Sequence, residues 1–119
     1  MAIYPYWQHL YISKMIANTP SAPYYAVIFT SNKTGPDNGY AVMSDRMEEL
    51  AKQQPGYLGY ESARSEIGIT ISYWDSLDAI KNWKMNVEHQ VAQKFGREEW
   101  YSQFKVRICR VDREYGFGL

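Results

Sequence analysis

His89, Arg64, Trp83, Trp74, Tyr73, Asn86, Tyr60 and Trp100 have the side-chain types and spacing to hold and act on a flat organic molecule. A histidine titrates near neutral pH and can take or give a proton. An arginine can hold an anionic oxygen through its forked donors. Indole and phenol rings offer broad apolar faces that also carry a polar handle. His89 and Arg64 are therefore the candidates for catalytic work. Trp83, Trp74, Tyr73, Asn86, Tyr60 and Trp100 are the candidates for substrate binding.

Each residue also has a plainer reading. Trp83 falls near the apolar stripe of its helix, where it packs a core, walls a pocket, or does both. On a straight helix at 100° per residue, His89 lies about 120° round from Leu77, beside Asn82, Asn86 and Gln93 at about 140–180°. That stripe is either a solvated face or the polar lining of a pocket. Arg64 either pairs with Glu61 or Glu66 at a strand end or clamps an anion. Trp74, at a strand-to-helix junction, staples the helix to the sheet or closes one end of a pocket. Trp100 and Tyr101 fall in an irregular segment that could cover the pocket as a lid. Arg107 faces away from Phe104, Val106 and Ile108, and partial burial there would call for a carboxylate partner across an interface.

Other chemistry finds no support. There is no glycine-rich phosphate loop, and no Ser-His-Asp or Cys-His arrangement can be assembled. Two histidines, His9 and His89, and one cysteine, Cys109, make a dedicated metal site improbable. A lone Cys109 cannot close an intrachain disulfide and reads as a small buried hydrophobe. The chain has 13 basic and 13 acidic residues, so its net charge is zero, and the basic ones form no stripe. Nucleic acid and acidic membranes are thus not expected partners. No apolar run is long enough to span a bilayer. MAIYPYWQHLYISK has neither a basic start nor a clean apolar core, so no signal peptide is expected and a cytoplasmic location is. Aromatics make up 16% of the 119 residues, more than a small interior readily holds, which points to a pocket or a subunit interface.

The elements that position these residues can be read from period. In GITISYWDSLDAIKNWKMNVEHQVAQ, residues 68–93, apolar and small residues first alternate. Ile67, Ile69, Ile71 and Tyr73 fall on one face of a strand, and Gly68, Thr70, Ser72 and Trp74 on the other. After Asp75 or Ser76, which can cap a helix, the period becomes helical through Leu77, Ile80, Trp83, Val87 and Val91. Upstream, YYAVIFT at 24–30 is β-rich, SNKTGPDNG is a loop, and Tyr40, Met43, Met47 and Leu50 have helical spacing. Pro55–Gly56 stops that helix, and residues 57–63 make a second strand in a hairpin with the third. A last strand is expected over 103–115, with a bulge where the apolar register moves to Val111. Residues 1–22 read as an extension preceding a domain over 23–119, and Met15 could be an alternative start.

The order is βαββαβ, an α+β ferredoxin-like arrangement with two helices on one face of a four-stranded antiparallel sheet. Tyr25, Val27 and Phe29 oppose Ile28, and Tyr73 opposes Trp74, so both faces are apolar. A sheet apolar on both sides needs a second cover. A homodimer with the two sheets face to face is the expected solution.

The segment PGYLGYESARSEIGITISYWDSLDAIKNWKMNVEH resembles the antibiotic biosynthesis monooxygenase family of the dimeric α+β barrel superfamily. The PGYLG turn, the SYW strand end, the NW pair and the later REEWYSQF carry the likeness, which spans residues 24–115. The resemblance implies a homodimer with a small-molecule pocket in each subunit, between helices and sheet. It implies a monooxygenase that oxidises a small aromatic or quinone-like substrate with no bound metal, flavin or other cofactor. The alternative is a non-catalytic dimer that binds a hydrophobic small molecule or serves a stress role. Haem-degrading relatives use a first-strand Asn and a Trp and His spaced along the second helix. Here YYAVIFTS holds no Asn, Trp83 matches, and the proximal position is Gln93, so haem is a weaker expectation.

Overall fold

The computed structural model describes residues 15–35, 37 and 39–119; the expected start of the extension, residues 1–14 with His9, lies outside them. The elements are β1 (Tyr24–Lys33), α1 (Tyr40–Lys52), β2 (Tyr57–Arg64), β3 (Gly68–Trp74), α2 (Leu77–Met85), α3 (Val87–Phe95), a π-helical turn (Gly96–Trp100) and β4 (Tyr101–Val111). The strands form one antiparallel sheet in the order β2-β3-β1-β4. This is the expected ferredoxin-like α+β fold.

Register turns strand alternation into rows across the sheet. On the face that carries the core cluster, one row runs Arg64–Gly68–Ser31–Phe104, the next Ser62–Thr70–Phe29–Val106, the next Tyr60–Ser72–Val27–Ile108. Trp74 and Tyr25 follow, with Tyr57 opposite Trp74 beyond an irregularity at Tyr57/Gly59. The core sits at this end. Leu50 and Ala51 of α1 and Ala79, Ile80 and Trp83 of α2 close over Trp74, which is fully buried, and Tyr25, Val27, Met47 and Tyr57 pack on the cluster.

The opposite face carries the rows Glu61–Ile71–Ile28–Arg107 and Ala63–Ile69–Thr30–Lys105. Part of it is covered by the chain's own ends. The Ala17 amide donates to Glu61 at 2.9 Å, and Tyr24 donates to Glu114 beyond β4. Two depressions, of about 450 and 500 Å³, lie on this side and are lined by residues of the 15–19 segment with Tyr73, Glu61, Ile69 and Ile71. Ile69 remains 44% exposed.

Three expectations are corrected. The helix after Trp74 is not straight: it breaks at Asn86, whose backbone is extended (φ −59°, ψ 133°), and restarts as α3. The phase of the apolar stripe is reset there, and Leu77 and Val91 face outward. The last strand runs from Tyr101 to Val111, and its irregularity lies at the opposite end, between Asn32 and Lys33 on β1. Val111 stays in register opposite Tyr24, on the second face. Its apolar character reflects that face, not a bulge. Trp100 is 5% exposed in the π turn, not in an irregular lid. It stacks on Phe95 at 5.8 Å, and its carbonyl accepts from the Thr34 amide at 2.7 Å.

Candidate functional site

The helix-facing side of the sheet carries two groups of candidate residues. The first is a column of rings. Ser76 caps α2 by accepting from the Ala79 amide at 3.0 Å, and the helix then brings Trp83 over the sheet. The Trp83 indole stacks on Trp74 with centroids 6.0 Å apart and planes 26° apart. Asn86 breaks the helix and caps the next one, its Oδ1 accepting from the amides of Glu88 and His89 at 3.0 and 3.3 Å. That turn sets the His89 ring 4.4 Å from Trp83. Asn86 thus positions His89 through the backbone, a role that a straight-helix reading could not show.

His89 does not sit on a solvated stripe. Its Nε2 meets the Gln93 amide nitrogen at 3.1 Å; an amide nitrogen only donates, which assigns the acceptor role to Nε2 and the proton to Nδ1. Nδ1 is buried and meets no hydrogen-bond partner among the described residues. Burial, helped by the nearby positive charge of Lys84, lowers its pKa to about 4. The ring is neutral at physiological pH. Trp74 spends its polar atom internally, donating Nε1–H to Ser72 Oγ at 2.9 Å.

The second group lies toward the Arg64 end. Tyr60, expected as a binding residue, hydrogen-bonds Thr70, which also meets Ser62 at 3.1 Å. Burial first, then the charge of Glu48, pushes the Tyr60 phenol well above its usual range. Tyr101 is pushed up in the same way, by burial and then by its hydrogen bond with Tyr40. Tyr57 rises to about 12, chiefly through burial. All three stay protonated and can donate hydrogen bonds. Tyr40 packs edge-on against Trp100 and Tyr101 at 5.8 and 5.6 Å, and Tyr101 against Phe29 at 5.3 Å.

Arg64 pairs with neither Glu61 nor Glu66. Glu61 is an odd number of residues away on the strand and so points to the other face, where it accepts from Tyr73 at 2.6 Å. Arg64 instead donates to Ser31 Oγ. Tyr73 lies on that same far side, edge-on to Tyr24 at 5.8 Å, and the sheet separates it from the other candidates. Sequence reasoning missed Ser31, Lys33, Tyr40 and Thr70. Ser31 and Lys33 were available from alternation, since they share a face with Phe29. Among the described residues no cluster of three or more His, Cys, Asp or Glu could hold a metal ion, and no helix is long and apolar enough to cross a membrane.

Comparison with known proteins places these features in context. The family described as antibiotic biosynthesis monooxygenase matches residues 40–94. The uncharacterized protein YqjZ of Bacillus subtilis (strain 168) is 50% identical over 101 residues, which is 83% of this chain and 89% of YqjZ. Among solved structures, a variant of SnoaB, a cofactor-independent oxygenase from Streptomyces nogalater, superposes with a TM-score of 0.67 at 14% identity, over 79% of this chain and 97% of SnoaB. Protein SO0527 from Shewanella oneidensis gives the same score at 10% identity, over 79% and 97%. At such identities the likeness concerns the fold.

Proposed function

The chain belongs to the antibiotic biosynthesis monooxygenase family, and on that premise we propose that it is a cofactor-independent monooxygenase acting on a small aromatic or quinone-like substrate. The observation that carries this reading is the buried Trp74–Trp83–His89 column, which sets a neutral imidazole, its Nδ1 without a hydrogen-bond partner among the described residues, against stacked indoles between helices and sheet. The similarity to SnoaB supports the same class. The working unit is a homodimer that packs the uncovered sheet faces together.

The chemistry needs little from the protein. An activated methylene flanked by aromatic carbonyl or phenol groups loses a proton to form an enolate or carbanion. That anion passes its electrons to dioxygen, and the new C–O bond makes a hydroperoxide. Loss of the second C–H proton with cleavage of the O–O bond leaves a carbonyl and releases water. The enzyme must exclude bulk water, hold the ring, accept the first proton and steady the anionic oxygen. Trp83 would meet the ring, with Trp74 and Trp100 as packed walls behind it. His89 would accept the proton, and the substrate's developing negative charge would raise its basicity. The protonated phenols and Arg64 would steady the oxygen.

Oxygen uptake with anthrone- or hydroquinone-type compounds tests the reading. Uptake by the wild type that is lost in His89→Gln and in a Trp83→Ala, His89→Ala double variant, each keeping the wild-type circular dichroism, supports it. Uptake no greater than that of the double variant removes it. A specific observation favours a second reading: an imidazole held near a pKa of 4 is a weak base. A non-catalytic dimer binding a hydrophobic molecule would bind the same compounds, with quenching of Trp83 and no oxygen consumed.

A further inference from the structure

We propose that this site takes substrates with a carboxylate or comparable anionic oxygen group, held at a corner formed by Arg64, Lys33 and Tyr40. The inference rests on the monooxygenase reading for the rest of the substrate, but it stands on separate observations.

Arg64 and Lys33 are both on the helix-facing side of the sheet, at the end where α1 begins. Both lie over the Tyr40 ring. Lys33 Nζ is 4.2 Å from its centroid and the Arg64 guanidinium carbon 5.9 Å. The ring face attracts each cation, but the two still repel each other, and neither enters an ion pair among the described residues. Such an arrangement is relieved by an anion between or beside them. The phenols nearby, Tyr60 and Tyr101, are protonated and add no negative charge.

The guanidinium is also placed, not free. It is held by Ser31 Oγ, a hydroxyl that is itself 2% exposed. It lies flat over Gly68, where a Cβ would collide with three of its atoms. Arg64 is exposed as a residue, so an arriving ligand can reach it. One donor on Ser31 leaves the rest of the five-donor fork for a carboxylate, which it can grip in two places. A lysine at position 64 would keep the charge and lose that fork.

The test compares 2-naphthoate with its neutral analogue naphthalene-2-carboxamide, binding being followed by tryptophan fluorescence. The wild type is expected to bind the acid about tenfold more tightly or better, the effect of a charge-assisted bond, with the preference shrinking as salt rises. R64Q should abolish the preference and K33Q reduce it. G68A keeps every charge but displaces the guanidinium, and should also reduce it. Equal binding of the two compounds, no binding of the acid at millimolar concentration, or full preference in R64Q would overturn the proposal. Oxygen uptake with a neutral hydroquinone, run in parallel, separates the two ideas. Uptake without acid preference sinks the anion corner alone; acid preference without uptake sinks the oxygenase reading alone.

Discussion

Acid should destabilise this protein through His89. The folded ring has a pKa of about 4, against 6.5 for an ordinary histidine, because burial disfavours the imidazolium and Lys84 adds like charge. The folded state thus favours the neutral form. Above pH 6.5 the ring is neutral in both states and its full contribution is present. As pH falls below 6.5, the unfolded chain takes up a proton that the folded chain does not, and stability drops. The loss continues until the folded ring also protonates near pH 4. At about 1.4 kcal/mol per pH unit, the interval from 6.5 to about 4 is worth about 3 kcal/mol. Carboxylates titrate at the low end of the same range, so the measurement is a difference. Urea unfolding at closely spaced pH values, for the wild type and for His89→Gln, gives two stability curves. Their difference should fall by about 3 kcal/mol from pH 6.5 to 4. In a His9→Gln background, proton NMR then follows the single remaining ring directly. A flat difference curve, or a ring titrating near 6.5, would show that His89 is solvated and that the column is not a sheltered site.

Other perturbations have equally definite outcomes. Trp83→Ala removes the ring between Trp74 and His89 and should cost about 3–5 kcal/mol in urea unfolding, with Trp83→Phe recovering part of it. Asn86→Ala deletes the acceptor of two α3 amides and should cost about 1 kcal/mol. Because that cap also aims His89, the variant should raise the His89 pKa toward 6.5 by admitting water, which NMR would report. Ile71→Glu places a charge in the middle row of the uncovered sheet face. Sedimentation should show it shifting the protein from two copies toward one, while its circular dichroism stays that of the wild type. A wild type sedimenting as one copy would refute the face-to-face dimer.

The strands, the hairpin, the first helix and the fold class follow from the order of periods, because alternation and 3.6-residue spacing are local properties of the chain. The polar break at Asn86 is not legible from periodicity. A single apolar stripe drawn through residues 77–91 assumes one continuous helix, and an N-cap asparagine inside it carries no periodic signal. Two helices with separate phases turn His89 inward onto Trp83. The fate of Arg64 was equally out of reach. Its neighbours in sequence, Glu61 and Glu66, suggested a pair, but alternation sends Glu61 to the far face and pairing across three strands brings Ser31 and Gly68 beside it. Sequence by itself determined which residues share a face within each strand. Only the tertiary structure decided which faces meet, because the row Arg64–Gly68–Ser31–Phe104 joins residues far apart in the chain through a register set by the whole sheet.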